Sequence, residues 1–147
     1  MFRNWLNGSR DMYISSSVDG GNTFGNTKKL GSGTWKLNGC PMDGGGLTIN
    51  ARGTIETVWR RQNKIFTSTS IGGEHEIGEG RDCTITQVND IKIYGWVEKG
   101  YVVITRAGGE KKKLGKGNQL VMTALDKDHL ICVWENENQI HASTIEL

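Results

Sequence analysis

ETVWRRQNKIFTSTS, at residues 56–70, places a tryptophan in an apolar run, follows it with a polar turn and ends in a second apolar run. The same pattern occurs twice more, as IYGWVEKGYVVITRA at 93–107 and ICVWENENQIHASTI at 131–145. The segments align on Trp59, Trp96 and Trp134. At a constant offset from these tryptophans lie Ile65-Phe66, Val102-Val103 and Ile140-His141. This shared register indicates an internal repeat of about 40 residues.

Shorter runs extend the repeat on both sides. Upstream of the tryptophans lie LTI at 47–49, TIT at 84–86 and MTA at 122–124; downstream lie Ile77-Gly78-Glu79-Gly80 and Leu114-Gly115-Lys116-Gly117. Each unit therefore contains four short runs rich in β-branched and aromatic residues, which favours strands over helices. A four-stranded unit of this length is typical of a β-propeller blade. We predict an all-β chain of blades with four antiparallel strands.

One segment has an alternative interpretation. Taken alone, NQLVMTALDKDHLICVW at 118–134 matches an amphipathic helix. Its register is shared with the two other repeats, and on that ground we predict strands there as well.

The repeat predicts that residues 1–147 form one partial propeller, which consists of complete and incomplete blades. We expect complete blades at 44–80 and 81–117, a blade without its inner strand at 1–33 and a blade without its outer strand at 118–147. Because a propeller needs about four to eight blades to close, we expect either that the chain belongs to a larger propeller or that chains self-associate through open blade edges.

Composition narrows the classes of function. The net charge of +2 predicts neither a nucleic-acid nor a membrane partner, and the basic run 111–113 is interpreted as a solvated edge. The three cysteines and three histidines lack metal-ligand spacing, so we expect no metal and no cofactor. The first residues carry no signal-peptide pattern.

The stretch SVDGGNTF, at 17–24, lies between the third and fourth strands of the first blade. Asp19 can accept hydrogen bonds from turn amides, and the adjacent glycines permit positive φ. Phe24 can pack back against the next strand. We interpret Ser17, Asp19, Gly21, Thr23 and Phe24 as a structural turn without chemistry.

This stretch matches the Asp-box, or bacterial neuraminidase repeat, and the chain thereby resembles the sialidase-like β-propellers. The resemblance implies a parent protein with exo-sialidase-like glycoside hydrolase activity, secreted or periplasmic. In that family three arginines hold the substrate carboxylate, a tyrosine paired with a glutamate is the nucleophile and an aspartate is the acid/base. The family segment that brings the first arginine is absent here, and no catalytic residue is assigned. We interpret Tyr13, Tyr94 and Tyr101 as packing residues.

Propeller geometry selects a candidate binding face. Turns between second and third strands share one face with the connections between blades. That face collects the arginines, aromatics and carboxylates Arg3, Trp5, Arg10, Asp11, Trp35, Asp43, Arg60, Arg81 and Asp82. Guanidinium groups suit a carboxylate or sulfate ligand, and rings suit the faces of sugars.

Two functions remain open. The chain is either part of a sialidase-like glycoside hydrolase that acts on or binds carbohydrate and is incomplete as a catalyst by itself, or a non-catalytic propeller that binds glycan or protein through the arginine-rich face.

Overall fold

The computed structural model describes residues 1–69 and 72–147 of the chain. In these residues it contains strands and no helix, so the prediction of an all-β chain is confirmed. No described segment forms a helix that could cross a membrane. The strands are β1 (Phe2–Leu6), β2 (Ser9–Ser16), β3 (Gly25–Lys29), β4 (Gly45–Ile49), β5 (Ile55–Arg61), β6 (Lys64–Thr69), β7 (His75–Glu79), β8 (Arg81–Val88), β9 (Ile91–Glu98), β10 (Tyr101–Arg106), β11 (Lys111–Lys116), β12 (Asn118–Ala124), β13 (His129–Asn136) and β14 (Gln139–Glu146).

The strands form four antiparallel sheets, each built from neighbours in sequence. Sheet 1 contains β1 to β3, sheet 2 contains β4 to β7, sheet 3 contains β8 to β11 and sheet 4 contains β12 to β14. The segment 118–134, with its helix-like pattern, forms β12 and β13 of sheet 4. Its cross-strand pairing overrides the local preference, as tertiary contacts often do.

Tight turns close the hairpins between the second and third strands of the repeat in sheets 1, 3 and 4. Positive φ angles occur at both turn residues in Asn7-Gly8, Lys99-Gly100 and Glu137-Asn138. A two-residue turn of this type matches the right-handed twist of the strands that it joins. The polar residues between the apolar runs therefore fix the register of the second and third strands.

The aligned tryptophans occupy equivalent positions in the pairing. Trp59 lies opposite Phe66, Trp96 opposite Val103 and Trp134 opposite His141. In sheet 1 Phe2 lies opposite Tyr13, with ring centroids 5.9 Å apart. The alignment of the first strands needs a correction of one residue. Leu47 corresponds to Ile85 and not to Thr84, because the β8–β9 hairpin is one residue shorter: eight residues lie between Ile85 and its partner Tyr94, and nine between Leu47 and its partner Thr57.

The sheets pack face to face in chain order, with β4 beside β8 and β8 beside β12. Each tryptophan lies against the outer strand of the preceding sheet. A Cβ added at Gly78 would approach the ring of Trp96 to 2.5 Å, and one at Gly115 would approach Trp134 to 3.0 Å. The glycine in the (Leu/Ile)-Gly-x-Gly pattern therefore provides room for the next indole ring.

Candidate functional site

The turns between second and third strands and the connections between sheets meet at one end of the molecule, called here the connection end. The amide of Gly80 donates to the carbonyl of Asn63 at 2.6 Å, and the amide of Gly117 donates to Gly100 at 3.0 Å. The longer connection from sheet 1 to sheet 2 is fixed there too, since the amide of Leu37 donates to Gly8 at 3.3 Å. These contacts place the candidate residues at a common end.

A cluster of Arg3, Trp35, Asp43 and Arg60 forms between sheets 1 and 2 at this end. The Asp43 carboxylate lies 2.6 Å from Arg60 Nε and 3.8 Å from Arg3 Nη2. The ring centroid of Trp35 lies 5.3 Å from the guanidinium carbon of Arg3 and 5.2 Å from that of Arg60. All four side chains are largely buried. The cluster thus combines an ion pair with cation–π contacts.

Burial dominates the electrostatics of this cluster. It raises the pKa of Asp43 although Arg60 and Arg3 oppose the shift, and it lowers the pKa of Arg3. Neither oxygen of the Asp43 carboxylate has an aligned hydrogen bond, despite the ion-pair contacts. Burial also raises the pKa of the neighbouring Cys83 thiol to about 12, which keeps it protonated and unreactive.

The guanidinium groups of the cluster are largely engaged by the backbone. Arg3 donates to the carbonyls of Arg10, Arg60 and Asp43 at 2.8, 3.0 and 3.4 Å. Arg60 donates to the carbonyl of Pro41 at 3.2 Å. These donors hold the connection 30–44 against both sheets. Their first role is structural, and few of their N–H groups remain for a ligand.

The exposed Trp5 and the half-buried Arg10 lie beside the cluster. They lie opposite each other in the β1–β2 hairpin, and the Arg10 guanidinium carbon is 5.0 Å from the centroid of the Trp5 ring. Trp5 is 57% exposed. An exposed ring next to a cation can contact both the apolar face and the acidic group of a sugar.

The other residues predicted for the binding face, Asp11, Arg81 and Asp82, lie outside both the Trp35 cluster and the Trp5–Arg10 surface. Asp11 is buried, and its carboxylate accepts the Trp35 amide at 2.8 Å and pairs with Lys29 at 2.9 Å. Burial raises its pKa, but the Lys29 and Trp35 hydrogen bonds outweigh that effect and lower it. Arg81 donates to Asn118 at 2.5 Å and is directed to sheet 4, whereas its neighbour Asp82 contacts Asp43 through its backbone.

The turn at 17–24 is closed by its own side chains. Asp19 accepts from the amide and hydroxyl of Thr23 at 2.9 and 2.6 Å, and Ser17 donates to it at 2.7 Å. The amide of Gly21 donates to Ser17 at 2.8 Å. The expectation that Phe24 packs against the next strand is wrong, because this ring is 68% exposed.

Sequence reasoning missed a buried polar group between sheets 2 and 3. Glu56 accepts from the hydroxyls of Tyr94 at 2.7 Å and Thr67 at 2.9 Å, and from the Lys92 ammonium at 2.6 Å. Glu56 follows the β4–β5 turn, so this group lies towards the end opposite the connection end. Burial and Glu56 raise the pKa of Tyr94 to about 12, although Thr67 opposes the shift. The adjacency of Glu56 and Tyr94 depends on sheet packing, and no local pattern signals it.

No family model, curated protein or solved structure matches the chain. Within residues 1–69 and 72–147, no group of three or more His, Cys, Asp or Glu side chains is arranged to hold a metal ion.

Proposed function

We propose that the four sheets are consecutive blades of a β-propeller of the sialidase-like, Asp-box type. The proposal is supported by antiparallel sheets that follow one another in chain order, with the first strands of sheets 2, 3 and 4 side by side. The repeated contact between each tryptophan and the preceding outer strand supports it as well. The Asp-box match, with its closed turn at 17–24, supports the type.

The function that the geometry favours is non-catalytic binding of a carbohydrate that carries a carboxylate, at the connection end. The observation that carries this proposal is the exposed Trp5 ring against the Arg10 guanidinium, 5.0 Å away. The ring offers an apolar platform and the guanidinium a bidentate donor for the acid. Arg3 donates to the carbonyl of Arg10 at 2.8 Å and so joins this surface to the Trp35 cluster.

A hydrolase that contains this chain is the second candidate, supported by the Asp-box resemblance alone. The described residues do contain a Tyr–Glu pair, Tyr94 and Glu56, but it lies away from the arginines. Because this pair lies towards the end opposite the connection end, Tyr94 is not placed to attack a sugar held by Arg10. The chain by itself is therefore expected to bind without turnover.

The binding proposal is tested by titrating the chain with sialyllactose and, in parallel, with lactose. We expect measurable affinity for the acidic sugar only. Arg10→Ala removes the charge-assisted hydrogen bonds and should weaken binding about 10-fold or more. Trp5→Ala should weaken it comparably. The matched controls are Arg52→Ala and Phe24→Ala, which alter an exposed arginine and an exposed ring away from the connection end.

Equal affinity for both sugars, or unchanged binding by Arg10→Ala and Trp5→Ala, would contradict the proposed surface. A fluorogenic sialoside separates the two candidate functions. We expect no hydrolysis by the chain alone, and turnover that survives purification would establish the hydrolase instead.

A further inference from the structure

The two terminal sheets each leave one face uncovered by the described residues. In sheet 4, Leu130, Cys132 and Trp134 face sheet 3 and are buried. The alternate residues of sheet 4 point the other way and form the tail face: Val121, Ile131, Val133, Ile140 and Ala142. Because side chains alternate along a strand, this apolar set lies on a single surface. Val121 and Ile140 are mostly exposed.

The internal repeat shows what normally covers such a face. Ile140 occupies the position of Ile65 in sheet 2 and Val102 in sheet 3. Ile65 and Val102 are fully buried, at 0% exposure, whereas Ile140 is 74% exposed. At Ile65 the cover is the tryptophan-bearing face of the next sheet, in the cluster that contains Trp96 and Val103.

Sheet 1 presents a face of that kind at the other end of the array. Phe2 and Tyr13 take the positions of Trp59 and Phe66, and their rings stack in the same way. Leu6 points to the same side of β1. Phe2 and Leu6 are 43% and 53% exposed. Phe2, Leu6 and Tyr13 form the head face. The equivalent faces of sheets 2 and 3 each pack against the preceding sheet.

We propose that the tail face of one chain binds the head face of a second copy. The contact repeats the sheet-to-sheet packing already present three times within the chain, and it buries the apolar side chains that the terminal sheets expose. It joins two different surfaces, so it is heterologous. Two copies, each with four sheets, give eight, which is within the range at which propellers close. The contact involves faces, and not only the open edges expected from the sequence.

The proposal is independent of sugar binding and is tested by mass. Sedimentation or native mass spectrometry of the 147-residue chain should show a species of twice 16.2 kDa. A chain that remains monomeric up to roughly 100 µM would overturn the proposal. A dissociation constant above that concentration is too weak for a specific contact between the two faces.

Paired variants test the direction of the contact. Val121→Lys/Ile140→Lys blocks the tail face, and Phe2→Lys/Leu6→Lys blocks the head face; each should be monomeric alone. Mixed together, they retain one intact head and one intact tail and should form a 1:1 heterodimer. Val18→Lys, at a fully exposed loop residue, is the control and should associate like the unaltered chain.

A mixture that stays monomeric while the unaltered chain dimerises would overturn the head-to-tail arrangement. All the altered positions are exposed, and thermal unfolding of each variant checks that its sheets are intact. Dimerisation of the tail-blocked variant alone would also contradict the proposal.

Discussion

Two buried carboxylates of this protein differ in their hydrogen bonding, and their pKa values shift in opposite directions. Asp43 has ionic neighbours without aligned hydrogen bonds, and burial raises its pKa. Glu56 is also desolvated, but donors on Lys92, Tyr94 and Thr67 outweigh burial and lower its pKa. Hydrogen bonds to the charged form thus decide whether the pKa of a buried acid falls or rises.

Glu56→Ala should destabilise the fold by about 3 kcal/mol, because it leaves Tyr94 and Lys92 without their acceptor between two sheets. The matched control is Glu76→Ala, which breaks an exposed pair with Lys64 and should leave stability nearly unchanged. Urea unfolding at neutral pH measures both. Equal effects of the two substitutions would contradict a special role for Glu56.

The same residue predicts a pH dependence. A carboxyl with a lowered pKa in the folded state contributes stability above its unfolded pKa, about 4.3 for glutamate, and loses it as the pH falls through the folded value. The difference in unfolding free energy between the unaltered chain and Glu56→Ala should therefore be constant near neutral pH and shrink below about pH 4. A difference that does not vary with pH would show that packing alone is lost.

At the scale of elements, the outer strand of one sheet supports the tryptophan of the next. Gly78 in β7 lies under Trp96, which is fully buried. Gly115 in β11 lies similarly against Trp134. A side chain at these glycines would displace a ring that has no free space to move into. The contact therefore links the sequence pattern of one repeat to the packing of its neighbour.

Gly78→Ala should destabilise the fold by about 2 kcal/mol, because the new methyl group overlaps the Trp96 ring. Gly25→Ala, in a strand position with open space around the new methyl group, is the control and should be neutral or slightly stabilising. Unfolding curves followed by tryptophan fluorescence give both values. A neutral Gly78→Ala variant would contradict the packing role of this strand.

At the scale of the molecule, the central sheets are covered on both faces and the terminal sheets on one. The strand β9 is almost wholly buried, whereas most of β1 is exposed and every second residue along much of β14 is exposed. Local opening requires less free energy where fewer apolar contacts are broken. Stability should therefore decrease from the middle of the array outwards.

Amide hydrogen exchange of the tail-blocked variant, in which association does not contribute, should show this gradient. We expect the slowest exchange in β9 and β10 and the fastest strand exchange in β1 and β14. Amides of β14 that exchange as slowly as those of β9 would contradict the gradient and indicate a cooperative unit of all four sheets.

Much of the fold could be predicted from local sequence, and the candidate site only in part. The runs around Trp59, Trp96 and Trp134 indicated the strands, because side-chain type and turn residues act over a few positions. The one-residue shift at Thr84 was not predictable, since it depends on which residues of β8 and β9 pair across their turn. The exposure of Phe24 likewise depends on where its neighbours lie.

The sequence by itself determined the strands, their hairpins and the closed turn at 17–24, because these depend on residues close together in the chain. Only the tertiary structure decided which polar groups meet across sheets. Arg3 reaches the carbonyl of Asp43, 40 residues away, and Tyr94 reaches Glu56, 38 residues away. Such contacts arise where faces of different sheets pack together, and that packing engages Arg3 and Arg60 while it leaves Trp5 exposed and Arg10 half-buried.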